Sequence, residues 1–138
     1  MLELLRLLGA QDFRPNLGRV AELFAHDAAY QINVPARDQL VGREAIIAEL
    51  ARQAGDFTDL VSELLAIVSD DRRVVTERVD HVTMRHSNER VTTPVLAIFE
   101  VDGDGRIRGW REYWDALSLA ARMRVDAEHM QRLMGISA

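Results

Sequence analysis

The spacing of apolar residues changes near residue 56. Up to that point they recur every three or four positions, as on one face of a helix. Beyond it they fall into long alternating or continuous runs, the habit of strands. Residues 1–9 predict a short amphipathic helix. After a loop marked by Pro15 and Gly18, a second helix is expected from about Leu17 to Ala25, with Val20, Leu23 and Phe24 on one face and His26-Asp27 ending it. Tyr30-Gln31-Ile32-Asn33-Val34 reads as a short strand closed by Pro35, and the stretch from Arg43 to Leu50 as a helix after Gly42, stopped by Gly55. Four extended runs follow at about 58–68, 73–85, 90–101 and 106–115, separated by Ser69-Asp70-Asp71-Arg72, His86-Ser87-Asn88-Glu89 and Asp102-Gly103-Asp104-Gly105. These spacers are hairpin connections. The tail, 116–134, returns to helix. Helices followed by an antiparallel meander predict one α+β domain over 1–138, its curved sheet wrapping the helices around an apolar pocket.

Composition narrows the chemistry. The chain has no cysteine, which excludes disulfides, thiolate metal sites and cysteine nucleophiles. All 17 basic residues are arginine, so lysine Schiff-base and P-loop chemistry are excluded as well. The arginines are spread along a chain of net charge −5, which argues against nucleic acid as a partner. The opening Met1 to Leu8 is interrupted by Glu3 and Arg6 and reads as a helix rather than a signal segment. No apolar run approaches the ~20 residues needed to span a bilayer. A soluble, cytoplasmic protein is expected.

The chemistry then falls to carboxylates, arginine, histidine or tyrosine. Arg78 and Asp80 in Thr76-Glu77-Arg78-Val79-Asp80 are two apart on an expected strand and share a face. Asp115 ends the strand Trp110-Arg111-Glu112-Tyr113-Trp114-Asp115, and with the strands in register it comes within reach of that pair. Two readings of this trio stand side by side: an acid–base pair bridged by a guanidinium, or a structural salt-bridge network. Val82, Met84, Leu96 and Ile98 are candidate apolar walls, and Tyr113, sharing the face of Asp115, is a candidate lining residue. His81 and His86 lie on opposite strand faces, poor geometry for a metal, and no metal site is expected. Asp102-Gly103-Asp104-Gly105 reads as a turn rather than a calcium loop.

Taken together, the helices-then-meander order, Tyr30-Gln31 with Asn33 before a proline, Thr76-Glu77-Arg78-Val79-Asp80, the apolar strand Val95 to Phe99 and Gly109-Trp110-Arg111-Glu112-Tyr113-Trp114-Asp115 resemble the limonene-1,2-epoxide hydrolases of the nuclear-transport-factor-2-like (SnoaL-like) superfold. The resemblance runs over roughly residues 12–120. It implies a cone-shaped pocket and a cofactor-independent hydrolase that adds water to a small hydrophobic epoxide in one step. In that arrangement Asp115 takes a proton from water, Asp80 protonates the epoxide oxygen and Arg78 holds the two carboxylates together. A tyrosine and an asparagine position the water, here Tyr30 and Asn33. A homodimer formed through the sheet is also implied.

The sequence departs from the family pattern in one respect. The family's tyrosine and asparagine are two apart, whereas Tyr30 and Asn33 are three apart, so an unbulged strand sends one of them away from the pocket. A one-residue bulge at Gln31-Ile32 would bring both inside. Three other functions stay open: an intramolecular epoxide-opening cyclase, a ketosteroid-isomerase-like or polyketide-cyclase-like enzyme using one aspartate, and a non-catalytic binding module.

Overall fold

The structure, a computed structural model, describes residues 2–134. Its elements are α1 (Leu2–Leu8), a 3₁₀ turn (Arg14–Asn16), α2 (Leu17–Glu22), β1 (Phe24–Gln31), β2 (Leu40–Val41), α3 (Arg43–Asp56), β3 (Phe57–Ser69), β4 (Arg73–Met84), β5 (Arg90–Val101), β6 (Ile107–Tyr113), α4 (Ala116–Met123) and α5 (Ala127–Leu133). The six strands form one mixed sheet in the order β2-β1-β6-β5-β4-β3, with β1 and β6 parallel and the other neighbours antiparallel. This is the expected α+β architecture. No helix among the described residues is long and apolar enough to cross a membrane.

The helices bury narrow stripes against the concave face of the sheet. In α1 the buried residues are Leu4, Leu7 and Leu8, while Arg6 and Glu3 pair on the exposed side. The longest helix, α3, starts after Gly42, whose φ of 105° lies where a side chain is strained. It turns Ile46, Leu50 and Ala54 inward. With Phe24, Tyr30, Phe99 and Trp110 these residues make the main core. A second cluster, Met84, Val91, Ala120, Met123, Met130 and Met134, is built where α4 and α5 meet β4 and β5.

Several boundaries differ from the sequence reading: α3 runs through Gly55 to Asp56, and Leu40–Val41 forms a short strand. The second helix ends at Glu22 rather than Ala25, and the first strand runs Phe24–Gln31 rather than from Tyr30 to Val34. Between Phe24 and Ala29 the strand carries extra residues relative to β6, where the matching positions are Ile107 and Gly109. That irregularity leaves His26 and Asp27 exposed, and this polar pair in an alanine-rich stretch looks like the end of a helix when only the sequence is read. The tail is two helices. Arg124 adopts a left-handed conformation (φ 55°) after α4, and the Asp126 side chain caps α5 by accepting from the His129 N–H at 2.7 Å. Beyond α5, Arg37 donates to the Met134 carbonyl and ties the tail to the loop before β2.

The outer face of the sheet is apolar in patches, with Val61, Leu65, Val68, Leu96 and Tyr113 exposed. Leu96 and Tyr113 face each other across β5 and β6 on that side.

Candidate active site

Strand alternation decides what enters the concavity. On β4, Thr76, Arg78, Asp80, Val82 and Met84 share the inner face, and on β6, Trp110 and Glu112 do. All of these side chains but Thr76, with Tyr30 from β1 and Gln53 from α3, wall a cavity of about 170 Å³. Its sides are mostly apolar, and Met123, Met130 and Met134 from the tail close one end.

Arg78 is the hub. It is only 4% exposed, and its guanidinium binds two carboxylates at once. Nε donates to Asp80 Oδ1 at 2.9 Å and Nη2 to Asp80 Oδ2 at 3.1 Å, a side-on pair, while Nη2 also bonds Glu112 Oε2. Ser62, facing Asp80 across β3 and β4, donates its hydroxyl to Asp80 Oδ1 at 2.8 Å. Both Asp80 oxygens thus have donors. Glu112 Oε1 has none among the described residues. Burial pushes the Glu112 carboxyl above its ordinary 4.5, and Arg78 only partly offsets this. Although burial opposes the charge on Arg78, Glu112 and Asp80 raise its pKa further. Burial, and next the nearby Glu112, also hold the Tyr30 phenol well above its usual range. Tyr30 is therefore a neutral donor at any ordinary pH. Its oxygen accepts from Gln53 Nε2 at 3.3 Å, which leaves its own O–H available to the cavity.

The trio expected from the sequence is corrected in its third member. Asp115 lies beyond the end of β6, where it is exposed and caps α4 by accepting from the Ser118 N–H at 2.9 Å. It is not a partner of Arg78; Glu112 is. The cause is strand parity. Trp110 is buried, so Glu112 points inward with it, and Arg111 and Tyr113 point to the other face. Tyr113 is accordingly exposed rather than lining the pocket. The same parity corrects Leu96 and Ile98, because Val91, Thr93 and Val95 are the β5 residues that line the cavity. Val82 and Met84 do line it, as does Tyr30. Asn33 does not. β1 has ended at Gln31, no bulge at Gln31-Ile32 restores the position, and Ile32 takes the wall. The Asn33 amide is buried and spent on the Trp114 carbonyl at 2.8 Å.

Glu112 was legible as the residue two beyond a tryptophan that had to be core. Gln53 was legible as a polar residue continuing the buried stripe Ile46, Glu49, Leu50 of α3. Among the described residues no cluster of three or more histidine, aspartate or glutamate side chains has the arrangement to hold a metal ion.

Because asparagine caps a helix about as well as aspartate, Asp115→Asn is expected to change stability by less than ~0.5 kcal/mol and to leave turnover near that of the parent. Thermal melts and activity measured beside the parent check this. Loss of activity in a folded variant would return Asp115 to the chemistry.

The chain matches the SnoaL-like domain family over residues 3–110. It belongs to that family. The match ends before Glu112 and the tail helices, so membership by itself says nothing about them. No curated protein matches the sequence. Among solved structures, a limonene-epoxide-hydrolase-like epoxide hydrolase from M. tuberculosis is 28% identical, with a TM-score of 0.66 over 87% of this chain and 88% of that one. The epoxide hydrolase/cyclase-like enzyme SalBIII, of pyran ring formation in the polyether salinomycin, is 17% identical, with a TM-score of 0.72 over 86% and 88%. A putative SnoaL-like polyketide cyclase from Shewanella denitrificans is 13% identical, with a TM-score of 0.77 over 89% and 93%. The last two likenesses concern the fold alone.

Proposed function

We propose that this SnoaL-like domain is a cofactor-independent enzyme that opens a small hydrophobic epoxide by acid–base catalysis. One observation carries the reading: two carboxylates bridged by a buried arginine on the floor of an apolar cavity. Opening an epoxide needs a proton for the departing oxygen and a base for the incoming nucleophile. A pair of carboxyls with one proton between them supplies both. The likeness to the M. tuberculosis epoxide hydrolase supports the same chemistry.

The hydrogen bonding favours a particular division of labour. Glu112, more buried and with no donor on Oε1 among the described residues, keeps the proton and gives it to the ring oxygen as the C–O bond breaks. Asp80, with one donor on Oδ2 and its side chain 20% exposed, takes the proton from the nucleophile as the new C–O bond forms. The proton thus ends on Asp80, and the pair resets by exchange with solvent once product leaves. This is the reverse of the assignment of Asp80 as acid that the resemblance implied. Arg78, bonded to both members, argues against enolate chemistry in which a neutral aspartic acid stands alone as donor.

Asn33 favours a second reading. Its amide serves Trp114, so one of the two groups expected to hold a water is missing from the wall, and a hydroxyl of the substrate itself can take the place of water. A panel of monocyclic epoxides with and without a pendant hydroxyl, incubated in ¹⁸O-labelled water, tests both. Hydrolysis gives diols with one labelled oxygen, and cyclisation gives unlabelled ring ethers. If neither product forms from any member, the epoxide reading fails.

A further inference from the structure

Two buried donors in the cavity wall have no partner among the described residues: Arg78 Nη1 and Trp110 Nε1. They flank Glu112, since Arg78 is bonded to it and Trp110 precedes it by two on the same face of β6. An indole N–H can only donate, and buried donors in folded proteins are nearly always paired. The other tryptophan follows the rule, its Nε1 donating to the Ile32 carbonyl at 2.7 Å.

The Trp110 ring is also held in place. It stacks on Tyr30 with centroids 4.1 Å apart and planes 18° from parallel, and on Phe99 at 5.5 Å and 20°. Phe24 packs against it at 6.0 Å. Such clamping fixes the direction of the N–H, as expected of a preorganised donor. Its proximity favours the charged form of Glu112, but the geometry falls short of a hydrogen bond between them.

We propose that Trp110 is a second donor to the substrate oxygen, beside Glu112, so that the cavity floor recognises an oxygen acceptor carried on an otherwise apolar ring. Trp110 would then be a catalytic residue, its indole N–H bonded to the oxygen that gathers negative charge as the epoxide opens. An all-hydrocarbon ligand would bury both donors unmet. The proposal rests on the acid–base reading of this cavity, but its test needs no turnover.

The sequence has two tryptophans, so ¹⁵N-labelled protein shows two indole N–H signals, assigned with Trp110→Phe and Trp114→Phe. The protein is titrated with cyclohexanone and, separately, with methylenecyclohexane, in which a CH₂ replaces the oxygen. Affinity is a poor readout because water also solvates the ketone better. The hydrogen-bonded proton is the direct one. Cyclohexanone is expected to move the Trp110 indole proton downfield with a saturable curve and to leave that of Trp114, already bonded to Ile32, in place. The hydrocarbon isostere should move Trp110 far less. Equal shifts with the two ligands, or no saturable shift with the ketone up to its solubility limit, overturn the proposal. So does a Trp110 signal that ignores the ketone and follows only the protonation of Glu112. An intact indole response without epoxide turnover would remove the epoxide reading and leave the donor standing, and turnover without the response would do the opposite.

Discussion

Glu112→Gln is expected to lower turnover by about 10²–10⁴-fold, the usual worth of a positioned general acid, in a protein that still folds. The amide keeps the shape and can still accept from Arg78, but it has no proton to give to the departing oxygen. The loss should shrink for epoxides whose carbon better stabilises positive charge, because their opening depends less on proton transfer. A graded epoxide series read as kcat and kcat/KM checks this, and equal losses across it would argue against the acid role. The pH dependence has a definite sign. Burial raises the Glu112 carboxyl above 4.5, so the protonated acid, and with it activity, is lost as pH rises through the shifted value. Stability moves the same way. The contribution of a group with a raised folded pKa is fully present below its unfolded value and is lost as pH rises through the folded one. The glutamine variant lacks this titration, so thermal melts should show its midpoint gaining on that of the parent from about pH 4.5 upward.

Arg78→Lys should be a poor replacement although it keeps the charge. The guanidinium meets Asp80 with two donors and Glu112 with one of the same two nitrogens, and a single ammonium on a flexible stem cannot reproduce that fork. Removing one partner of a buried ion pair outright costs ~3–5 kcal/mol, and because lysine keeps the charge a smaller loss, ~1–3 kcal/mol or several degrees in midpoint, is expected here. Activity is expected to fall by ~10² or more, and the pH profile to move, since the bridge sets how one proton is divided between the two carboxylates. Wild-type rate and pH dependence in the lysine variant would make the bridge a bystander. Replacing all three residues with apolar ones is the companion experiment. A more stable but inactive protein is the outcome expected of a functional trio, whose members are costly to bury.

The α+β order, the hairpins and Arg78 with Asp80 were legible because each rests on short-range pattern: helical spacing, turn residues and a two-residue strand repeat. The error at Asp115 came from one step of parity. Reading Tyr113 and Asp115 as inward placed the even-numbered Glu112 outside, although Trp110 already required that face to be buried. A glutamate reaches the same space as an aspartate with one more methylene, so residue type alone does not choose between Glu112 and Asp115. Leu96 and Ile98 failed for a related reason. β5 is apolar on both faces, so its composition cannot say which set points inward. Asn33 was lost because the sequence does not show where β1 stops pairing with β6. Gln53 continues the buried stripe of α3, but a polar residue there acquires meaning only from Tyr30 opposite it.

The two ends of the cavity are drawn from different stretches of chain. The charged floor comes from β4 and β6, locked in the middle of the sheet, whereas the methionine-rich closure comes from α4 and α5, whose residues follow the last strand. Methionine side chains are unbranched and fill irregular gaps, so this end can accommodate ligands of somewhat different outline without disturbing the floor. Chemistry and selectivity are therefore separable by inheritance. A lineage, or an engineer, can exchange the segment after Asp115 to change which molecules are admitted while keeping the reaction carried out on them.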